Sequence, residues 1–394
     1  MRRFDLAAVS AVAALIACST ACSTKKPTPT PTEATPSEGK PTEAKAAANV
    51  AKPAGDEAKP AADEAKGEIP GIPKGYWTVT PGLVLDDIDA AAAYYEKAFG
   101  AKTLFKMPGP DGKTLHAEVL IGDTHVMLGL ADGRTSLKSP TAAKGTTGSL
   151  QIAVADADAV MTQAVAAGGK VAYPIQDQFW GDRHGLLTDP FGHSWGIATT
   201  KVLLTDAQIG EAAKLAFIAD KTKAAEAVAA AWAKGTPAKS YRRASHNDVT
   251  ASLHLKNDEA LEAFYVKALG GTLLDNMPML DGSLMHATVE LGNSVIMFSQ
   301  EMPAYGSKSP ETLGATTMYL YLYFEDVDAA MKRAEAASAK VTMPTMDMFW
   351  GDRAGQLQDS SGHLVNLATH KQDLTPKEMM AGLKKIMVDP GAEK

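Results

Sequence analysis

The sequence predicts an α+β fold of two tandem domains, each built from two βαβββ modules, with a helical connector between the domains. Two observations support this prediction: the chain repeats itself at a constant offset, and each repeat contains the order strand, helix, three strands twice. The length of 394 residues and the hydrophobic fraction of 45% are sufficient for two or three globular domains.

The internal repeat is visible in several segments. YYEKAFGA (94–101) returns as FYVKALGG (264–271), and FWGDRHGLLTDPFGHSW (179–195) returns as FWGDRAGQLQDSSGHLV (349–365) with 10 of 17 positions identical. Both pairs are 170 residues apart, so the register is kept without net insertion. A fixed period of this kind indicates duplication of a whole domain.

Each copy carries the pattern of two modules. In the first copy, the β-rich run TVTPGLVL (78–85) leads into the helical segment AAAAYYEKAFG (90–100), with Asp87 or Asp89 as the expected N-cap. Three strands follow, and the same order then returns. The other predicted elements are strands near 102–107, 114–121, 124–130, 149–155, 170–175, 184–189 and 193–199, and a helix at 156–168.

Composition defines the remaining segments. We place the first domain at 76–200, the second at 244–371 and a C-terminal helix or tail at 372–394. The connector, 201–243, has helical apolar spacing and strong helix formers, which predicts one or two helices. Residues 23–72 are rich in Pro, Thr, Ala, Lys and Glu and almost lack large apolar residues, so we expect a disordered tether.

The first 22 residues have the features of an export signal. Two arginines precede the apolar run Leu6–Ala17, which is too short to span a bilayer. The run leads into LIAC (15–18), which resembles the bacterial lipobox and predicts lipidation of Cys18, with Cys22 as the second candidate. Because Ser19 follows, we expect anchoring at the outer membrane of the bacterial cell envelope, facing the periplasm. A plain secretory signal is the alternative.

Charge and cysteine content exclude several classes of function. The net charge of −7 and the pI of 5.8 argue against a nucleic-acid partner, which requires a basic surface. Both cysteines lie in the export signal, so the folded domains are predicted to lack disulfides, thiolate metal sites and cysteine nucleophiles.

The element order and several motifs resemble one known family. The paired βαβββ modules, the helix end AFGA (98–101) and the closing DPFGHSW (189–195) resemble the vicinal oxygen chelate superfamily, which includes glyoxalase I and bleomycin-resistance proteins. HAE (116–118) and FWGDR (179–183) are similar to its PhnB-like branch. The resemblance implies that each pair of modules forms a cupped mixed sheet that holds a metal or a small molecule.

The same resemblance implies where a metal would bind. In metal-dependent members, His and Glu side chains from the first and last strands of each module hold a divalent ion that chelates two substrate oxygens. Counting from the local motifs places these positions at Thr80, near Leu128, at Ser149, Gly196 and Thr250, near Phe298, and at Tyr319 and Asn366. Since none is His or Glu, we expect no cofactor. A divergent Zn, Ni, Mn or Fe site around His116 and Glu118 is the alternative.

Candidate ligand contacts come from two motifs, HAE (116–118), of which the histidine recurs as His286 while Glu118 becomes Thr288, and FWGDR (179–183), which recurs whole at 349–353. The HAE strand places an imidazole and a carboxylate on one face of the sheet. FWGDR supplies an indole for stacking and a guanidinium. A structural role, as a hydrogen-bonded histidine or a turn-rich scaffold, is the alternative for each motif. The candidate ligand-binding residues are His116, Glu118, Trp180, Arg183, His286, Trp350 and Arg353.

Together these inferences predict a lipid-anchored envelope protein whose tandem domains bind a small molecule without metal chemistry. The two copies are expected to be able to pair as an internal pseudo-dimer. Two alternatives remain open: a divergent metal-dependent glyoxalase-like lyase, isomerase or dioxygenase, and a non-catalytic envelope protein that has kept only the fold.

Overall fold

The computed structural model describes residues 69–109, 112–131, 136–216, 220–256, 258–279, 281–303 and 306–388. The predicted export signal with Cys18, most of the predicted tether and the end of the predicted C-terminal tail lie outside the described residues.

Four βαβββ modules follow one another along the chain. Module 1 contains β1 (Val79–Leu85), α1 (Ile88–Phe99), β2 (Lys102–Pro108), β3 (Thr114–Ile121) and β4 (Thr124–Leu130). After α2 (Pro140–Ala143), module 2 contains β5 (Gly148–Ala153), α3 (Ala157–Ala166), β6 (Lys170–Asp177), β7 (Asp182–Thr188) and β8 (Ser194–Thr200). The connector contains β9 (Val202–Leu203), α4 (Asp206–Ala216), α5 (Lys221–Trp232) and β10 (Thr236–Pro237).

The second copy repeats this order. Module 3 contains β11 (Val249–Leu255), the π-helix α6 (Leu261–Ala268), β12 (Thr272–Pro278), β13 (Leu284–Leu291) and β14 (Ser294–Gln300). After α7 (Pro310–Leu313), module 4 contains β15 (Met318–Tyr323), α8 (Val327–Ala336), β16 (Lys340–Asp347), β17 (Asp352–Gln358) and β18 (Leu364–His370), and α9 (Pro376–Val388) follows. None of the helices among the described residues is long and apolar enough to cross a membrane.

The modules form two eight-stranded mixed sheets, which confirms the predicted α+β class. Their pairing differs from the expectation that two modules of one copy share a sheet. Modules 1 and 4 form one sheet, in the order β16-β17-β18-β15-β1-β4-β3-β2, which we call the outer cup. Modules 2 and 3 form the other, in the order β12-β13-β14-β11-β5-β8-β7-β6, which we call the inner cup. Each cup therefore contains one module from each copy.

The two modules of a cup meet along an antiparallel seam. In the outer cup β1 pairs with β15, and in the inner cup β5 pairs with β11. The long helices cover the face of each sheet opposite the cup, where alternate strand residues such as Leu83 and Leu253 are buried. Helix α1 begins at its N-cap Asp87, whose side chain accepts a hydrogen bond from the Ala90 N–H, and ends at Gly100 with φ 68°.

Candidate functional site

The inner cup encloses a cavity of about 550 Å³. The four central strands β8, β5, β11 and β14 supply its floor, and β7 and β13 supply side walls. The connector helix α4, strand β12 and the residues just before β7 and β11 also contribute to the lining. Sites for small organic molecules typically have volumes of roughly 300–1,000 Å³, so this cavity is large enough for one.

The floor of the cavity consists of small and polar side chains. Alternate residues of each strand face the cup, and cross-strand partners form rows across it. One row, in spatial order, is Ser194, Ser149, Ser252 and Met297. A second row contains Gly196, Gln151 and Thr250. The floor thus combines hydroxyl and amide groups with one methionine.

Gln151 lies across the floor because its strand partner has no side chain. A Cβ on Gly196 would overlap the Oε1 atom of Gln151. The same oxygen lies 3.3 Å from Nε2 of His184, which is 7% exposed on the neighbouring wall. The glycine therefore allows an amide and an imidazole to meet inside the cavity.

Apolar side chains line the part of the cavity next to the connector. They include Phe179, Trp180, Leu204, Ile209 and Met277. The rings of Phe179 and Trp180 meet edge to face, with centroids 4.8 Å apart. The Trp180 Nε1–H donates to the Asp182 carboxylate over 3.1 Å, so the indole is held in place and its ring borders the cavity.

The histidines of the cavity are neutral at physiological pH. Burial lowers the pKa of His184 and of His254 to about 4. Burial, with the nearby arginines and His286, lowers the pKa of His246 to about 3, and burial also lowers the pKa of His286. These imidazoles therefore provide hydrogen-bonding groups without positive charge.

Both arginines of the cavity lining form ion pairs. Arg243 lies 3.2 Å from the carboxylate of Asp182. Arg242 pairs with Asp123 and lies 3.1 Å from the carboxylate of Asp248. Since their charge is matched within the protein, the arginines do not form a strong anion site.

The outer cup is filled by aromatic side chains. Strand β15 carries tyrosine at three alternate positions, Tyr319, Tyr321 and Tyr323, which all lie on the cup face. The repeat-related residues in the inner cup are Ser149, Gln151 and Ala153. Burial raises the pKa of all three tyrosines, so they remain neutral phenols. Three large rings occupy the space that is open in the other cup.

A fourth tyrosine, Tyr76, completes the filling of the outer cup. Its hydroxyl donates to Glu118, and its ring stacks on His125 with the centroids 3.8 Å apart. Its repeat-related residue is His246, which lines the open cavity of the inner cup.

The predicted site residues are therefore divided among three places. Trp180 and His286 line the inner cavity. Glu118 lies in the filled outer cup beneath Tyr76. The other outer-cup residues are His116, which pairs with Met107 and Gly129, and Trp350, whose Nε1–H lies 3.3 Å from the Tyr321 hydroxyl.

Arg183 and Arg353 line neither cup. Asp182 and His184 face the cavity, so Arg183 between them faces the opposite side of β7. There it pairs with Asp158 in the first turn of α3 and lies 2.9 Å from Asp177. Arg353 makes the same contact with Asp328 of α8, at 2.7 Å. Each arginine joins the sheet to the helix behind it, so we assign a ligand contact to neither.

Sequence reasoning missed most of the inner lining. Ser149 and Gln151 at alternate positions of β5 form no recognizable motif, whereas the Tyr-x-Tyr-x-Tyr pattern of β15 indicates in the sequence that the cups differ. Gly192–Gly196 reads G-x-S-x-G, but Ser194 begins strand β8 after a hairpin turn. The sharp strand-to-helix turn of a nucleophilic serine is therefore missing at this residue.

The family metal does not fit the residues at the cup positions. Leu128 and Phe298 lie in the core, so the cups are faced instead by Met127 and Met297. Divalent metals of this kind require imidazole and carboxylate ligands, which the central strands do not offer together. Within the described ranges, no three His, Cys, Asp or Glu side chains lie where they could hold a metal ion.

Comparison with known proteins gives the family. The model of the glyoxalase/bleomycin resistance protein/dioxygenase superfamily matches residues 78–197 and 252–367. An uncharacterized protein of Mycobacterium bovis is 40% identical over 124 residues, which cover 30% of this chain and 80% of that protein.

Solved structures are similar at lower identity. Glyoxalase I from Zea mays is 17% identical, with a TM-score of 0.49 over 79% of this chain and 95% of that chain. TioX from Micromonospora sp. ML1 is 27% identical, with a TM-score of 0.26 over 31% of this chain and 96% of that chain. On the match of the family model to both copies, the chain belongs to the glyoxalase/bleomycin resistance protein/dioxygenase superfamily.

Proposed function

We propose that the chain reversibly binds one small organic molecule in the inner cup, without a metal ion. The observation that supports this proposal is the difference between the two cups. At repeat-related positions the inner cup has small and polar residues and a cavity of about 550 Å³, whereas the outer cup has tyrosines. A duplicated protein with one open and one filled cup is suited to bind one ligand per chain.

The lining indicates what the ligand contacts would be. Trp180, Phe179 and Met277 offer flat or flexible apolar surfaces for a ring system. The serines and Gln151 of the floor offer hydrogen bonds to the same molecule. Most of the surface of a ligand in such a cup would be buried, which is how small-molecule sites gain affinity.

Nile red, an uncharged planar dye whose fluorescence rises in apolar surroundings, tests the proposal. We expect saturable binding of one dye per chain. The double variant S149Y/Q151Y, which copies the outer cup into the inner one, should weaken binding at least tenfold. S360Y, which places the same side chain at an exposed turn, is the matched control. Equal dye affinity in S149Y/Q151Y, with an unchanged circular dichroism spectrum, would refute binding in the inner cup.

Three finer assignments are part of the same proposal. HAE (116–118) and FWGDR (179–183) favour the PhnB-like branch of the superfamily. LIAC (15–18) favours lipidation of Cys18 and anchoring in the bacterial envelope. The filled outer cup has the features expected of a module pair that has kept only the fold, so we assign it a structural role.

A further inference from the structure

Unpartnered polar atoms are concentrated in the inner cavity. Among the described residues, five buried side-chain nitrogen or oxygen atoms have no hydrogen-bond partner. Four of the five belong to residues that line this cavity. They are Nδ1 of His184, Nδ1 of His254, Oγ of Ser299 and Oγ of Ser307. Folded proteins leave few buried polar groups unpaired, so such a concentration requires an explanation.

Three of the four groups lie in one corner of the cavity. His254 and Ser299 are direct partners on the parallel strands β11 and β14. Ser307 forms an isolated β-bridge with Thr146. The carbonyl of the next residue, Thr147, accepts a hydrogen bond of 3.1 Å from the backbone N–H of His254. His254, Ser299 and Ser307, each at most 4% exposed, form what we call the polar corner.

The polar corner is specific to the inner cup. The repeat-related residues of His254, Ser299 and Ser307 in the outer cup are, respectively, Val84, Gly129 and Leu137. None of these three has a polar side chain. The fold therefore does not require polar groups at these positions, and the inner cup has them where the cavity is open.

The corner is also uncharged. The hydroxyls carry no charge, and burial keeps His254 neutral. Arg242 and Arg243, at the other end of β11, are paired with aspartates. The carboxylate of Glu301, which acts on His254, already accepts hydrogen bonds from the Ser309 N–H and the Thr312 hydroxyl. A carboxylate or ammonium group brought into the corner would therefore lose its hydration without gaining an unpaired opposite charge.

We propose that the polar corner receives an uncharged head group that both donates and accepts hydrogen bonds, such as a carboxamide or an alcohol, while the rest of the ligand lies on the apolar lining. This inference rests on the proposed binding in the inner cup. It names the chemical class of the ligand: a neutral amphipathic molecule with a ring system, and neither an organic anion nor an organic cation.

Three probes with the same ring system test the head group: 2-naphthamide, 2-naphthoate and 2-naphthylmethylamine at pH 7.5. Dissociation constants come from ligand-observed NMR titration of the full chain. We expect the amide to bind at least tenfold more tightly than the carboxylate and the ammonium compound. Equal or tighter binding of either charged probe, lost in S149Y/Q151Y, would overturn the head-group inference but leave the proposed function intact. No binding of any probe, together with no binding of Nile red, would overturn both.

Variants of the corner provide the second arm. S299A and S307A should each weaken 2-naphthamide at least threefold and leave 2-naphthoate within twofold, whereas the exposed-site control S360A should change neither. Because the two hydroxyls have no partner in the fold, neither variant should lower the midpoint of urea unfolding. Lower stability with unchanged amide affinity would show that the hydroxyls serve the fold and would overturn the inference.

Discussion

The ring of Tyr319 lies across Gly82, its cross-strand partner at the seam of the outer cup. A Cβ on Gly82 would overlap three atoms of that ring. The repeat-related pair at the seam of the inner cup is Ser252 with Ser149, two small residues that leave the cup open. One pair of positions thus distinguishes the filled cup from the open one.

The contact between Gly82 and Tyr319 predicts a large effect of one added methyl group. G82A should destabilise the chain by about 1–3 kcal/mol, because the tyrosine ring is enclosed and has to move. Urea unfolding measures the change. S252A, at the repeat-related position, should change the unfolding free energy by less than about 0.5 kcal/mol. In the double variant G82A/Y319S the overlap is removed, so additive effects of the two substitutions would contradict this account.

The residues of FWGDR (179–183) lie on both sides of the sheet, with Trp180 at the cavity and Arg183 on the opposite side. Substitutions at these two positions should therefore have different effects. W180A removes the indole that borders the cavity, so we expect at least tenfold weaker Nile red binding. R183A removes a half-exposed ion pair with Asp158, so it should cost at most about 1 kcal/mol of stability and leave dye affinity within twofold. Fluorescence titration and urea unfolding measure both variants. Weaker dye binding in R183A at unchanged stability would show that Arg183 contributes to the ligand site.

Lipidation can be tested in the intact chain by metabolic labelling with an alkyne-tagged fatty acid. We expect label on the wild type and on C22S and its loss in C18S, because LIAC is the better match to a lipobox. Membrane fractionation should follow the label. Labelling of C18S with loss in C22S would move the anchor to the second cysteine, and no label on the wild type would leave a plain export signal.

The repeat predicted the modules but not their pairing. TVTPGLVL (78–85) and DVTASLHL (248–255) have the same alternation, so either can pair with a strand of its own copy or of the other. The observed pairing of modules is accompanied by contacts between residues that are far apart in the sequence. The His193 ring of module 2 lies 3.0 Å from the carbonyl of Val84 in module 1, which joins the two sheets. Such contacts have no local signature in a sequence.

The candidate site was predicted only in part for a related reason. Motif reasoning selected residues that recur in both copies, such as Arg183 and Arg353, and recurrence here often reflects a shared structural role. The proposed binding surface instead lies where the copies differ, at positions such as Ser149 and His254. A comparison of cup-facing positions between the copies would have indicated this difference, but the pairing of modules is needed to show that these residues share one cup.

The buried histidines of the inner cup make stability depend on pH. His184 and His254 have a folded pKa of about 4, compared with about 6.5 in an unfolded chain. The fold therefore accommodates the neutral ring, and the stability from both groups is fully present above pH 6.5. As the pH falls from 6.5 toward 4, each histidine should remove up to about 1.4 kcal/mol of unfolding free energy per pH unit. Urea unfolding at pH 7.0, 6.0 and 5.0 measures the slope.

The repeat supplies matched variants for this pH dependence. Module 4 has Ala354 where module 2 has His184, and module 1 has Val84 where module 3 has His254, so H184A and H254V introduce residues that the fold already accepts. Each variant should flatten the loss of stability between pH 6.5 and 5 relative to the wild type, whatever its stability at pH 7. Titrating groups that do not interact with either histidine are common to all three proteins and cancel in the comparison. A slope unchanged in both variants would show that these imidazoles are not held neutral by the fold, and an uncharged polar corner would then lose its physical basis.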